Sequence, residues 1–259
     1  MGKVFVITGA TSGIGNALVK AFADEGTVFA GYRNENHERD LRKISSNVIP
    51  FYIDMEKKSS IRQAAAYIKS NTDRVDTLIN VAGCVIAGQM AVLNPDDVRR
   101  QFEVNTFSHL DFSQRLVPIL DGKIINISSM ASFGLFPYVA PYCASKRALD
   151  ILFNSMSIES GVKVVSVKPG VIATPLWEKS IELNKNKPGL EFLVENARKN
   201  SKTGLDVKKV VELIKRIDTL ANPKASYTIG CDAKFTEILS KLPQNWINFI
   251  VKKGLELKV

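Results

Sequence analysis

Cysteine and histidine are scarce in this chain, and their scarcity limits the chemistry that it can carry. The sequence has three cysteines (Cys84, Cys143 and Cys231) and two histidines (His37 and His109). An odd and scattered set of cysteines argues against a disulfide framework, and the spacing of these side chains fits no metal site. We therefore expect reduced thiols and no bound metal.

Long hydrophobic runs are also missing. No apolar run approaches the roughly 20 residues that a membrane-spanning helix needs, although hydrophobic residues make up 45% of the chain. The first apolar run begins almost at Met1, so the sequence leaves no room for a signal peptide there. These features predict a single domain over residues 1–259 in a soluble, cytoplasmic protein.

The charge balance is basic, with a formal net charge of +9. The basic residues are spread along the chain, and no basic motif is interleaved with aromatic residues, so we expect no nucleic-acid partner. An anionic small ligand such as a phosphorylated cofactor fits this charge equally well.

A glycine-rich turn follows the first apolar run. The run Lys3-Val4-Phe5-Val6-Ile7-Thr8 precedes Gly9-Ala10-Thr11-Ser12-Gly13-Ile14-Gly15, and apolar residues then recur at helical spacing. This pattern predicts a strand, a turn and a helix whose start binds a pyrophosphate, because glycines allow close approach and the first helical N–H groups are free. The glycine spacing differs from Gly-x-Gly-x-x-Gly, and a glycine-rich turn alone would also suit a tight connection.

A second constellation lies between Ser129 and Lys146. Tyr142 and Lys146 stand four residues apart behind Pro141, which favours the first helical position, so both should share one helix face. A neighbouring ammonium lowers the pKa of a phenol, which makes Tyr142 a candidate general acid/base. Ser129 ends the β-rich run from Lys123, at the edge where open α/β sheets bind ligands. Alone, the Tyr–Lys pair would equally suit an amphipathic helix surface.

Together these residues resemble the short-chain dehydrogenase/reductase family. Further landmarks follow in order over most of the chain: Asn80-Val81-Ala82-Gly83, with Val81 replacing the family's second Asn, then Asn105, and finally Pro169-Gly170-Val171-Ile172-Ala173-Thr174. The resemblance implies a Rossmann-type α/β fold, a doubly wound parallel sheet in three layers with strand order resembling 3-2-1-4-5-6-7.

The resemblance also implies a role for each matching residue. Tyr142 would donate the proton, Ser129 would hydrogen-bond the carbonyl oxygen, Lys146 would lower the tyrosine's pKa and hold the nicotinamide ribose, and Asn105 would position a relay water. His109, one turn after Asn105, is expected at a surface or an interface. Cofactor contacts are implied for Gly9, Thr11, Ser12, Gly13, Ile14, Gly15, Arg33, Asp54, Met55, Asn80, Ala82, Gly83, Tyr142, Lys146, Pro169, Gly170, Ile172 and Thr174.

The residue after the second predicted strand concerns cofactor choice. An acidic side chain there would accept hydrogen bonds from a free 2′-hydroxyl, whereas an arginine suits a 2′-phosphate. Arg33 occupies the position and predicts NADP(H) rather than NAD(H), unless it is an exposed arginine on a polar loop.

Two later segments concern the substrate and the partners. Residues 175–204, which the family uses as a lid, are apolar at Leu176, Trp177, Ile181, Leu190, Phe192 and Leu193, which favours a hydrophobic substrate. The tail, residues 235–259, mixes apolar residues such as Trp246 with lysines and resembles the branch that includes steroid, retinol and acyl-dihydroxyacetone-phosphate reductases. It would cover the pocket or an interface, or else lie on a membrane surface.

The sequence therefore predicts an NADP(H)-dependent carbonyl reductase or alcohol dehydrogenase with a steroid-, retinoid- or fatty-acyl-like substrate. The alternatives are a 3-oxoacyl thioester reductase, a nucleotide-sugar epimerase or dehydratase, and a non-catalytic NADP(H) sensor. We expect a homodimer built on the helices that carry Asn105 and Tyr142, because Ala144, Ser145 and Ala148 would allow close helix contact.

Overall fold

The computed structural model describes residues 2–184 and 190–256, apart from the side chains of Phe192, Leu255 and Glu256. Met1, residues 185–189 and residues 257–259 lie outside the described residues. They belong to the start of the predicted domain, to the predicted lid and to the predicted tail, respectively.

Seven parallel strands form one sheet in the order β3-β2-β1-β4-β5-β6-β7. The strands are β1 (Lys3–Ile7), β2 (Gly26–Tyr32), β3 (Val48–Tyr52), β4 (Val75–Asn80), β5 (Leu120–Ile127), β6 (Lys163–Pro169) and β7 (Ser226–Ile229). The strand order reverses between β1 and β4, which is where a doubly wound sheet opens a crevice at the carboxyl ends of its strands. The predicted fold class is confirmed.

Helices cover both faces of the sheet. They are α1 (Gly13–Phe22), α2 (Glu38–Arg42), α3 (Lys58–Asn71), α4 (Pro95–Phe102), α5 (Ser108–Leu116), α6 (Ala140–Ser160), α7 (Leu176–Asn184), α8 (Glu191–Thr203), α9 (Val207–Thr219), α10 (Cys231–Leu239) and α11 (Gln244–Glu256). Side chains alternate along each strand. Phe5 and Ile7 accordingly pack with α1 and α9 on one face, and Val6 packs with α3, α5 and α6 on the other.

Local sequence explains where the helices of the site begin and end. The Asn94 side chain accepts a hydrogen bond from the Asp96 N–H at 2.9 Å and caps α4, whose first residue is Pro95. Gly161 ends α6 with φ of 73°, a left-handed conformation that glycine adopts without steric penalty. These signals set the start of α4, which leads into the turn that carries Asn105, and the end of α6, which carries Tyr142 and Lys146.

The tail forms two helices with different surroundings. α10 packs against the turn that follows Ser129, where a Cβ added to Gly134 would lie 3.3 Å from the Thr236 Cγ2. α11 instead exposes Trp246, Phe249 and Ile250. No helix within residues 2–184 and 190–256 is long and apolar enough to cross a membrane.

Candidate active site and cofactor cradle

The glycine turn is packed so closely that two of its glycines could not carry a side chain. A Cβ on Gly9, where φ is 63°, would lie 2.9 Å from the Ala82 backbone, and a Cβ on Gly15 would collide with the Gly9 carbonyl oxygen. The turn leads directly into α1, and the Ser12 side chain makes no capping hydrogen bond. The Ser12 side chain therefore leaves the first N–H groups of α1 available. An anion site at a helix start requires such available N–H groups.

Thr8 and His109 hold the loop after β4 against this turn. The Thr8 Oγ1 accepts hydrogen bonds from the Val81 N–H at 2.9 Å and the Ala82 N–H at 3.3 Å. The His109 Nε2 lies 2.8 Å from the Ala82 carbonyl oxygen and therefore donates to it. Burial lowers the pKa of His109 to about 3, so this ring is neutral. His109 is buried, and the prediction of a surface or interface histidine is wrong for this structure.

Three side-chain amides fix residues 84–87, the next part of this loop. Asn105 is engaged on both sides of its amide: the Oδ1 accepts from the Cys84 N–H at 2.9 Å, and the Nδ2 donates to the Cys84 carbonyl oxygen at 3.0 Å. Gln101 accepts from the Ile86 N–H, and Asn184 of α7 accepts from the Ala87 N–H at 2.8 Å. The amides replace the sheet partners that this buried backbone lacks.

Asn105 lies in a widened helical turn. Residues Glu103–Phe107 form one π-helical turn between α4 and α5, a distortion that often marks functional sites. The Asn105 Nδ2 also donates to the Ser145 Oγ at 3.1 Å, so the side chain joins this turn to α6. The Asn105 amide therefore has three protein partners, two on the main chain of Cys84 and one on Ser145.

Tyr142 lies in the first turn of α6, and Ser129 lies just after β5. Loss of hydration raises the pKa of Tyr142 to about 12, while a hydrogen bond with Ser129 acts in the opposite direction. The sequence predicts a lowered pKa for Tyr142, whereas in the structure this pKa is raised, because desolvation of the phenolate outweighs the hydrogen bond with Ser129. Tyr142 is therefore protonated at neutral pH, which suits a proton donor.

Lys146 lies one turn further along α6, and its ammonium is buried. The Nζ donates to the Ile127 carbonyl oxygen at 2.8 Å and lies 6.0 Å from the centroid of the Tyr142 ring. Burial lowers the pKa of Lys146 to about 8, and the charge of Asp150 opposes that shift. Asp150 is itself buried and pairs with the buried Lys168 at 3.0 Å.

The segment after β6 closes the crevice opposite the glycine turn. A Cβ on Gly13 would lie 3.3 Å from the Cβ and Cγ2 of Thr174, so the two segments are in contact range. The carboxylate of Asp232, from α10, fills the space beside Gly170 where a side chain would stand and accepts from the Val171 N–H at 2.7 Å. Sequence reasoning missed Asp232. Its position in the first turn of α10, just after Gly230, is a signal for a helix start but not for this contact.

Arg33 lies at the outer end of the crevice, after β2. Its Nη1 is 3.2 Å from the Glu56 Oε1, and Arg100 contacts the same carboxylate through two nitrogens, at 2.9 and 3.0 Å. The Arg33 side chain is 64% exposed and borders a depression that it shares with residues 34–36 and Tyr52. The arginine is therefore free to meet a ligand there, in competition with Glu56.

Three of the implied cofactor residues use their polar groups within the protein. The Asp54 carboxylate accepts from the Glu56 N–H at 3.1 Å, and the Met55 carbonyl oxygen accepts from the Ser108 hydroxyl. The Asn80 Nδ2 donates to Ser113 and to Asn126 at 3.1 and 2.9 Å. Asn80 is buried and ties β4 to its neighbours, so its side chain shapes the crevice from behind.

Comparisons with known proteins agree with this geometry. A family model described as short chain dehydrogenase matches residues 3–185. This chain belongs to the short-chain dehydrogenase family. It is an oxidoreductase that acts on carbonyl or alcohol groups with a nicotinamide cofactor.

Three similar proteins illustrate the likeness. A 3-ketodihydrosphingosine reductase of Bacteroides thetaiotaomicron is 26% identical, over 96% of this chain and 97% of the relative. A Burkholderia phymatum short-chain dehydrogenase/reductase solved with NAD is 20% identical with a TM-score of 0.81, covering 96% of this chain and 95% of that one. A short chain dehydrogenase of Burkholderia cenocepacia solved with NADP is 25% identical with a TM-score of 0.74, covering 96% and 97%.

Proposed function

We propose that this short-chain dehydrogenase is an NADP(H)-dependent reductase of a ketone or aldehyde on a hydrophobic substrate, of the steroid-, retinoid- or fatty-acyl-like class. The observation that carries the proposal is the Tyr142 hydroxyl beside Ser129, with the buried Lys146 ammonium one turn behind it. A 3-oxoacyl thioester reductase is the alternative within the same chemistry.

The chain's own residues then have distinct tasks. The glycine turn and the segment after β6 would hold the nicotinamide cofactor, which would supply the hydride. Tyr142 holds the proton that the carbonyl oxygen receives, and Ser129 donates a hydrogen bond to that oxygen. Lys146 holds a positive charge behind Tyr142 and would hold the nicotinamide ribose. Asn105 would position the water that returns a proton towards Lys146.

The pKa of Tyr142 suits a proton donor. A phenol with a pKa of about 12 keeps its proton at neutral pH and can give it to a developing alkoxide. We therefore assign to Tyr142 the proton that the carbonyl oxygen receives when the substrate is reduced.

The lid supports a hydrophobic substrate. Leu190 is buried, whereas Leu176, Trp177, Ile181 and Leu193 are only partly covered, so apolar surface remains for a ligand. The side chain of Phe192 lies outside the described residues. The name of the Bacteroides relative points the same way, since 3-ketodihydrosphingosine carries a ketone on an apolar chain.

The decisive experiment is to follow NADPH oxidation with long-chain ketones, steroids, retinal and 3-oxoacyl thioesters. We expect turnover with an apolar carbonyl compound and little with small polar ketones. Tight NADPH binding without turnover on any carbonyl compound would instead identify a non-catalytic sensor. Turnover of a nucleotide sugar without net NADPH oxidation would identify the epimerase alternative.

Cofactor preference rests on Arg33. Arg33→Asp is expected to weaken NADPH binding by at least about tenfold to a hundredfold, because it replaces a charge-assisted hydrogen bond with repulsion. NADH binding should change little, and salt should weaken wild-type NADPH binding more than NADH binding. Equilibrium titration of both cofactors measures these effects.

Arg39→Asp provides the matched control, since Arg39 is an exposed arginine of α2 and receives the same charge reversal. It should leave the preference for NADPH in place. A wild-type protein that prefers NADH, or an Arg33→Asp variant with unchanged preference, would show that Arg33 is an ordinary surface residue.

The homodimer is proposed on the outer faces of α5 and α6 and the π-helical turn before α5. Ile151 and Ile158 of α6 are 56% and 78% exposed, and Phe107 of the π-helical turn is 48% exposed. Ala144 and Ala148 lie on the same side of α6 as these isoleucines, whereas Ser145 is buried inside the protein. Small and apolar residues on a shared helix face suit close contact with a second copy.

Ile151→Arg should therefore convert the dimer to a monomer without unfolding it, because the isoleucine is open in the single chain and would be buried with its symmetry mate. Sedimentation at micromolar concentration measures the state, and circular dichroism checks the fold. Val92→Arg, at an 80% exposed position in the loop before α4, is the control and should remain dimeric. A monomeric wild type would contradict the proposal.

The tail keeps two roles under this proposal. α10 supports the turn after Ser129 and, through Asp232, the segment after β6. The exposed apolar side chains of α11 lie beside Lys252 and Lys253, and the Lys253 Nζ lies 5.1 Å from the centroid of the Phe249 ring. This composition suits an interface or an anionic membrane surface.

A further inference from the structure

The lid reaches the glycine turn through one lysine. The Lys179 Nζ, on α7, donates a hydrogen bond to the Ser12 Oγ at 2.9 Å. This contact joins the second half of the chain to the start of α1, where the pyrophosphate site is built. It is independent of the neighbouring contact between Thr174 and Gly13, which uses the chain just before α7.

Positive charge accumulates at this point. The start of α1 contributes its N–H groups, which the Ser12 side chain does not cap. Loss of hydration lowers the pKa of Lys179, and the charge of Arg33 acts in the same direction, which places the two cations within electrostatic reach of each other. Among the described residues no carboxylate forms an ion pair with Lys179.

We propose that Lys179 is a cofactor-phosphate ligand carried by the lid, an inference that rests on the proposed function. An ammonium beside an uncapped helix start and a second cation recognises phosphate oxygens. The hydrogen bond to Ser12 is weaker than one to a phosphate, because the hydroxyl carries no charge. Lys179 therefore exchanges Ser12 for a phosphate oxygen and ties α7 to the bound cofactor.

NADPH offers two kinds of phosphate that the Lys179 ammonium could bind, the pyrophosphate and the adenosine 2′-phosphate. The contact with Ser12 places Lys179 at the glycine turn, which is proposed for the pyrophosphate. The charge of Arg33, which is proposed to bind the 2′-phosphate, also acts on Lys179. NADH carries the pyrophosphate alone, so a comparison of NADPH with NADH separates the two sources.

The first test is the affinity of Lys179→Gln for both cofactors, measured from cofactor fluorescence in equilibrium titrations. We expect binding to weaken by roughly fivefold to tenfold, since an exposed lid screens the charge in part. Equal loss for NADPH and NADH would assign Lys179 to the pyrophosphate, and loss for NADPH alone would assign it to the 2′-phosphate. Lys179→Arg should retain the affinity because it retains the charge.

Lys202→Gln is the matched control, because Lys202 is an exposed lysine of the second lid helix, α8, and the same charge is removed. It should bind both cofactors as the wild type does. A Lys179→Gln variant within about twofold of wild type for both cofactors, or a control variant that loses as much, would overturn the proposal. Tight wild-type binding of NADPH would leave the proposed function standing in that case.

A second readout follows the lid itself. The two tryptophans are Trp177, two residues before Lys179, and Trp246 in the tail. In a Trp246→Phe background, saturating NADPH should change the fluorescence of Trp177, and Lys179→Gln should reduce that change. An identical change in both proteins would show that Lys179 does not tie the lid to the cofactor and would overturn that part of the proposal.

Discussion

Replacing Tyr142 with phenylalanine is expected to remove nearly all turnover and to leave NADPH affinity almost unchanged. The substitution deletes one hydroxyl, which holds the proton for the carbonyl oxygen, and keeps the ring that packs at the start of α6. Loss of a general acid typically lowers the rate by about 10²–10⁴-fold. Steady-state kinetics on the best substrate and NADPH titration measure the two quantities separately.

Lys146→Ala is the comparison that separates the two roles. Its ammonium is buried behind Tyr142 and donates to the Ile127 carbonyl oxygen, so its loss should weaken cofactor binding as well as turnover. A Tyr142→Phe variant that retained more than about a tenth of wild-type turnover would contradict the assignment of Tyr142 as the proton donor.

Asp150→Ala is expected to destabilise the protein strongly. The variant leaves the buried Lys168 ammonium without the carboxylate that stands 3.0 Å away. Removing one partner of a buried ion pair typically costs about 3–5 kcal/mol, which for a chain of this size lowers Tm by roughly 10 °C. The charge of Asp150 also favours the charged form of Lys146, so the variant should lower the pKa of Lys146 further.

The double variant Asp150→Ala/Lys168→Met tests the cause. Because it removes both buried charges, it should recover much of the lost stability. Asp40→Ala breaks the exposed pair between Lys43 and Asp40 and should change stability by less than about 1 kcal/mol. Thermal unfolding of all three variants decides the matter, and an Asp150→Ala variant as stable as Asp40→Ala would refute the argument. The Lys168 Nζ also lies 4.3 Å from the centroid of the Phe133 ring, which the methionine can still pack against.

The contribution of tertiary structure is clearest at the candidate catalytic groups. The sequence places Tyr142 and Lys146 on one helix face, because four residues make about one helical turn. It could not give the direction of the tyrosine's pKa, since that depends on how much water the folded chain removes from the hydroxyl. The neighbouring cation is visible in the sequence, whereas the larger effect of burial exists only in the folded chain.

Asn105 and His109 show the same limit. Asn105 matches a family position, and His109 follows it by one helical turn. A sequence alone, however, does not reveal what surrounds either side chain. Asn105 binds the loop after β4 and Ser145 of α6 through its amide, and the buried His109 donates to the Ala82 carbonyl oxygen. Both residues hold the loop in place, and no local pattern in the sequence distinguishes such a role from exposure.

By itself the sequence determined the family, through the resemblance of its motifs to those of short-chain dehydrogenases, and the fold class that this resemblance implies. Many individual strands and helices follow from hydrophobic periodicity, glycine turns and helix caps, which act between residues close in the chain. Only the tertiary structure decided that Asp232 fills the space beside Gly170, that Asp150 pairs with Lys168, and that Lys179 reaches Ser12. Each of these contacts joins residues distant in the chain, and each depends on burial and charge that exist once the sheet and its helices have assembled.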